Sequence, residues 1–147
     1  MTQKIISLAE GLIAEHGTRN PFELCCILGI STVCADLPFS VHGFYMEQDG
    51  RQAVVVSNNL QTPYDRYCAA HELGHALLHR EINTIFITQY TCLSVGRYER
   101  EADLFAAALL IDDDIITECK STQEIARRTA VPIHAVESYI SLLCKAS

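Results

Sequence analysis

The sequence predicts an α+β fold, in which a small antiparallel sheet of about three strands packs on helices. Three observations carry this expectation. Short segments rich in Val, Ile, Phe and Tyr lie within the first 60 residues. Helical periodicities fill most of the remainder. Asp49-Gly50, between two of the apolar segments, is a strong hairpin signal. The 147 residues suit one domain, with N-terminal helices and sheet over 1–60, metal-site helices over 61–111 and C-terminal helices over 112–147.

Over 2–16, Ile5, Leu8, Ala9, Leu12 and Ile13 recur at helical spacing and Gly17 is a natural stop. Asn20-Pro21 reads as an N-cap followed by a first-turn proline, opening a short helix through Leu28 that ends at Gly29. Segments 30–35, 42–47 and 52–57 read as the strands. Thr62-Pro63 again resembles an N-cap and first-turn proline, with a helix to about His79. Residues 83–94 are mixed, and Ile85-Phe86-Ile87 reads as a strand or an ordered loop. A long helix is expected over 96–111, a break or short helix at Asp112-Asp113-Asp114, and a capping-box helix from Ser121 to about Thr129. A last helix begins at Pro132.

Hydrophobic residues make up 49% and charged residues 20%, the composition of a globular protein rather than a disordered one. The net charge is −7, from 11 Lys+Arg against 18 Asp+Glu, which argues against broad nucleic-acid binding. No apolar run is long enough for a membrane span, and the N-terminus does not read as a signal peptide. The seven cysteines form no CxxC pair. They read as reduced, mostly buried thiols of a cytoplasmic protein.

The central motif is His71-Glu72-Leu73-Gly74-His75 within the helix from Pro63. Residues four apart lie one turn apart on one face, so both imidazoles can meet one Zn²⁺ ion. Glu72, rotated about 100° from His71, points beside the metal, where a general base belongs. On the next long helix Glu99 and Asp103 share a face with Ala106 and Leu110. Two inward carboxylates need a partner. Glu99 would complete a His₂Glu site, and Asp103 would fix the tautomer of a ligand histidine. Glu101 is the rival ligand, but it lies about 200° from Glu99 around the helix, where Arg97 can pair with it. His79 stands about 12 Å from His71 along a continuous helix, too far to share an ion, and reads as a helix-end histidine. His16, His42 and His134 read as structural or surface residues, and Cys68 as a small buried thiol near the cleft.

The stretches His71–His79 and Glu99–Leu110 together resemble the ImmA/IrrE family of metallo-endopeptidases. His16-Gly17-Thr18-Arg19-Asn20-Pro21-Phe22-Glu23-Leu24, Gly43-Phe44-Tyr45 and Ala53-Val54-Val55-Val56 agree with it. The resemblance implies a compact gluzincin-like domain with a small antiparallel sheet on the HExxH helix. It implies His71, His75 and Glu99 as zinc ligands, Glu72 as general base and Asp103 behind them. It also implies a cytoplasmic protein substrate, a helix-turn-helix repressor of a phage or mobile element.

Tyr64, Tyr90 and Tyr98 are candidates to stabilise an oxyanion. The strand at 52–57, taken as an edge, is a candidate to pair with an extended substrate. Two other readings compete. One is a non-proteolytic anti-repressor. The other is a DNA-binding regulator acting through the helix-turn-helix pattern of Thr122–Leu143, whose main basic pair is Arg127 and Arg128.

Overall fold

The computed structural model describes residues 1–80 and 93–146. The α+β class is observed. Helices α1 (Thr2–His16) and α2 (Pro21–Ile27) precede strands β1 (Ser31–Ala35), β2 (Gly43–Gln48) and β3 (Arg51–Ser57). Helices α3 (Tyr64–Leu78), α4 (Leu93–Leu110), α5 (Asp113–Glu118), α6 (Thr122–Thr129) and α7 (Ile133–Ala146) follow. The expectation for Ile85-Phe86-Ile87 lies outside the described residues, as do Tyr90 and Cys92.

Local chemistry sets most boundaries. Gly17 adopts φ 70° and its N–H reaches the Ile13 carbonyl, closing α1. Asn20 Oδ1 accepts from the Phe22 N–H at 3.0 Å, and Pro21 opens α2. Asp112 caps α5 by accepting from Ile115 N at 2.8 Å. Ser121 Oγ accepts from Glu124 N, while the Glu124 carboxylate reaches back to Lys120 N rather than to Ser121. The capping box is therefore displaced by one residue at its return contact. At α3 the expectation fails: Pro63 itself is the N-cap, it follows a cis peptide bond, and Thr62 makes no cap.

The sheet order is β1-β3-β2. β2 and β3 pair antiparallel through the Asp49-Gly50 turn, whose φ values of 53° and 77° are those of a type I′ turn. β1 pairs parallel with β3, Ser31 opposite Ala53 through Ala35 opposite Ser57. The sheet is therefore mixed, not antiparallel. The 36–42 connection reverses the chain but leaves β2 one strand away from β1, and the Asp49-Gly50 turn then brings β3 back between them, parallel to β1. A second correction follows: 52–57 belongs to the central strand, and β1 and β2 are the edges among the described residues. Residues Val54 to Ser57 are buried without alternation, the mark of a strand covered on both faces.

Helix α3 is buried continuously from Cys68 to Ala76. It packs on β2 and β3 and on α4, which in turn packs on α1 and α7. Leu73, Phe105 and Leu109 are fully buried at this junction, each contributing about 1.5–3 kcal/mol. Gly74 makes the α3–α4 approach possible. A Cβ there would lie 3.2 Å from the Phe105 ring and 3.3 Å from the Ala102 backbone. The sheet also fixes the C-terminal end of α3. Gln52 Nε2 donates to the Ala76 carbonyl at 2.8 Å and the Tyr45 hydroxyl to the Arg80 carbonyl at 2.8 Å, occupying acceptors a helix end leaves open. Arg19 does the same at the end of α4, donating to Leu109 O at 3.1 Å and Ala108 O at 3.3 Å.

The thiols differ from expectation. Cys25 and Cys68 are buried and Cys119 partly so, but Cys26, Cys34 and Cys144 are exposed. Cys26 lies on the seven-residue α2, Cys34 on the edge strand β1 and Cys144 in the last turn of α7, so half of the described cysteines fall outside the core.

Candidate metal centre

The helix spacing of α3 and its contact with α4 bring three donor groups to one point. His75 Nε2 lies 3.2 Å from His71 Nε2 and 2.9 Å from Glu99 Oε1, and His71 Nε2 lies 3.1 Å from Glu99 Oε2. Ligands on a tetrahedron about 2.0–2.1 Å from a zinc ion stand roughly 3.3 Å apart, so the observed spacing fits after opening by a few tenths of an ångström. Two imidazoles and a carboxylate are also the donor set such an ion takes. Among the described residues, His71, His75 and Glu99 form the only group of this kind. His75 is fully buried, His71 nearly so, and the Glu99 side chain is 45% exposed, which leaves an approach from solvent.

The electrostatics follow from this crowding. Burial opposes a charge on His71, but the carboxylates of Asp103 and Glu99 outweigh it and hold the imidazole up at about 10. Burial drives His75 the other way, below its ordinary value, assisted by the neighbouring His71 charge. Burial would raise Glu99, yet its hydrogen bonds to both histidines hold it well below the usual carboxylate range.

Asp103 stands directly behind His71. Its Oδ1 accepts from His71 Nδ1 at 2.8 Å and from the Tyr67 hydroxyl, and its Oδ2 lies 3.4 Å from His134 Nε2. Burial and the Asp103 charge push the Tyr67 phenol upward, so it remains a donor. Glu72 is buried and lines, with His71, Glu99, Tyr64 and Tyr67, a cavity of about 390 Å³. Cys68 lines the same cavity and donates to the His42 carbonyl at 3.3 Å. Burial and the Glu72 charge push its thiol upward, away from the thiolate a metal would take.

Several residues stand elsewhere than the sequence suggested. Glu101 is not among the converging donors and pairs with Arg97 at 3.6 Å as expected, but its other oxygen accepts from His79 Nε2 at 2.8 Å and its side chain is only 14% exposed. His79 is not merely a helix-end histidine. It is buried, its Nδ1 lies 2.9 Å from His75 Nδ1, and the tilted Tyr98 ring packs against it at 4.6 Å. Of the three tyrosines considered for the oxyanion, Tyr64 lines the cavity, Tyr98 sits behind His79 and Tyr90 lies outside the described residues. The residues missed at first, Tyr67 and the inward role of His79, were marked by the same spacing as the motif. Residues 67, 71, 75 and 79 form one stripe along α3. Nothing local marked His134.

The C-terminal pattern forms two helices joined through Ala130, whose φ is 65°. Ala135, Val136 and Tyr139 of α7 are buried in the core, Glu137 is on its exposed face, and Arg128 is held by Glu118 at 2.6 Å. Arg127 and Arg128 are both exposed on α6. No helix among the described residues is long and apolar enough to cross a membrane.

A family model described as the IrrE N-terminal-like domain, Peptidase M78, matches residues 27–141. The chain is 34% identical over 132 residues to "Uncharacterized immunity region protein 2" of Bacillus phage phi105, covering 87% of this chain and 84% of that protein. It is 27% identical over 138 residues to "Metallopeptidase ImmA" of Bacillus subtilis (strain 168), covering 90% and 81% respectively.

Proposed function

The chain belongs to the IrrE N-terminal-like domain family of peptidases, and from this premise we propose that it is a zinc-dependent endopeptidase that cleaves a helix-turn-helix repressor of a phage or mobile element. The observation that carries this reading is the convergence of His71, His75 and Glu99 on one point, with Glu72 lining the cavity beside them. The whole chain, 1–147, acts as one catalytic domain in the cytoplasm. His71, His75 and Glu99 hold the ion. A bound zinc ion lowers the pKa of water and polarises a scissile carbonyl.

This chain's own residues do the rest. Glu72 takes the proton of the attacking water and delivers it to the leaving amine. Asp103 and Tyr67 keep the His71 proton on Nδ1, leaving Nε2 for the ion. An extended substrate would pair with β2, whose Gly43 lines the cavity, rather than with the central strand. The phage relative's name supports a substrate from a phage or mobile element. The net charge of −7 favours a basic, DNA-binding protein as partner over DNA itself.

The test is incubation of the zinc-loaded protein with a purified candidate repressor. Discrete fragments are expected, none after stripping by a chelator, and their return with added zinc. If stripped and loaded protein release an intact repressor from its operator equally well, proteolysis is not the activity.

Zinc uptake should also release protons. His71, held at about 10 in the metal-free site, must become neutral to bind. His75, shifted below its ordinary value, and Glu99, already ionised, release none at neutral pH. Close to one proton is therefore expected between pH 7 and 8, and apparent affinity should rise about tenfold per pH unit until pH approaches that value. Calorimetry in two buffers of different ionisation enthalpy measures this. Uptake with no proton release would show that His71 is already neutral before the metal binds.

A further inference from the structure

We infer that His79 and Glu101 form a positioning relay that orients His75 for metal binding, the counterpart of Asp103 behind His71. The inference rests on the metal reading above and concerns residues that it leaves without a role. His75 turns Nε2 toward His71 and Glu99, with its Nε2 2.9 Å from Glu99 Oε1. A neutral imidazole offering Nε2 as a ligand carries its proton on Nδ1. That proton faces His79 Nδ1 at 2.9 Å, so His79 must accept there and carry its own proton on Nε2. That nitrogen lies 2.8 Å from Glu101 Oε1, and a carboxylate can only accept. With an ion in place of the His75 Nε2–H, one consistent assignment of protons therefore runs from Glu101 through His79 to His75.

The two ligand histidines are thus held differently. His71 meets a carboxylate directly at 2.8 Å, whereas His75 meets one through an intervening imidazole. The relay is rigid by construction. His79 follows His75, whose Nδ1 proton it accepts, by one helical turn, its backbone N–H bonds the His75 carbonyl at 2.8 Å, and it is 6% exposed. Tyr98 covers its ring at 4.6 Å and Arg97 holds the far oxygen of Glu101 at 3.6 Å. Glu101 and Glu99 lie two residues apart on α4, so one helix supplies both a ligand and the anchor for the opposite ligand.

The test compares zinc affinity, by competition with a chromophoric chelator, in wild type, His79→Phe, His79→Asn and Glu101→Ala. Phe keeps the ring volume without an acceptor. Asn loses volume but places an amide oxygen near the position of Nδ1. Affinity is expected to fall about 10–100-fold for His79→Phe, to stay within about threefold for His79→Asn, and to fall between these for Glu101→Ala. The cobalt-loaded protein should show a changed visible spectrum only in the variants that lose affinity. Equal zinc affinity in wild type and His79→Phe overturns the relay alone, as does an Asn variant as weak as the Phe variant. If His79→Phe does not fold, unchanged affinity in Glu101→Ala overturns it. A wild type that binds no zinc, or whose affinity is untouched by His71→Ala, overturns the metal reading and the relay together.

Discussion

Replacing Glu72 with Gln should lower peptide hydrolysis by about two to four orders of magnitude while leaving the metal content unchanged. The substitution keeps the length and shape of the side chain and removes only its basicity. Glu72 is 6% exposed within the fully packed part of α3, so a near-isosteric amide disturbs little. It is not among the three groups whose donor atoms converge, so the ion should remain. The measurement pairs metal analysis with cleavage of the repressor. A variant that cleaves within threefold of wild type removes Glu72 from the chemistry. A variant that loses its metal makes it a ligand instead.

The second large effect concerns Gly74. In an exposed helix, Gly→Ala stabilises by about 0.5–1 kcal/mol, and Gly11 of α1, with nothing within 4 Å of an added Cβ, should behave that way. Gly74 should do the reverse. Its added Cβ meets Ala102 Cα and O at 3.3 Å, and backbone atoms cannot rotate aside. Gly74→Val adds two further methyl groups to this contact and should destabilise by about 1–3 kcal/mol through overpacking. For a chain of this size that lowers Tm by roughly 3–10 °C. Zinc affinity should fall as well, because Ala102 lies one turn from Glu99 on the helix that must move. Thermal melts of Gly11→Ala and Gly74→Val read the contrast. A Gly74→Val variant as stable as wild type would show that the two helices can separate freely.

Much of this was legible in the sequence because it was local. Helix ends at Gly17, Asn20, Asp112 and Ser121 follow from capping chemistry within four residues. The Asp49-Gly50 turn follows from two positive φ values. The proposed ligands followed from 3.6-residue periodicity on each helix taken separately. What failed was non-local. The parallel pairing of β1 with β3 joins residues 22 apart, Ser31 and Ala53, and no turn announces it. The Val54-Val55-Val56 run did carry a signal, since a strand without alternation is buried on both faces, and taking it as an edge ignored that. His79 and Glu101 were each judged alone against a single ion. Their partnership needed the relative rotation of α3 and α4, which Gly74 and Phe105 set. His134 reaches Asp103 only because α7 packs on α4.

The distance along the chain between His71 and Glu99 has one more consequence. These residues lie 28 apart, so an ion held by both would close a loop in the polypeptide as a disulfide does, without any thiol. In the chain-entropy account such a closure removes roughly 3–4 kcal/mol of freedom from the unfolded ensemble. Loss of such an ion would then lower the stability of the fold as well as empty the site.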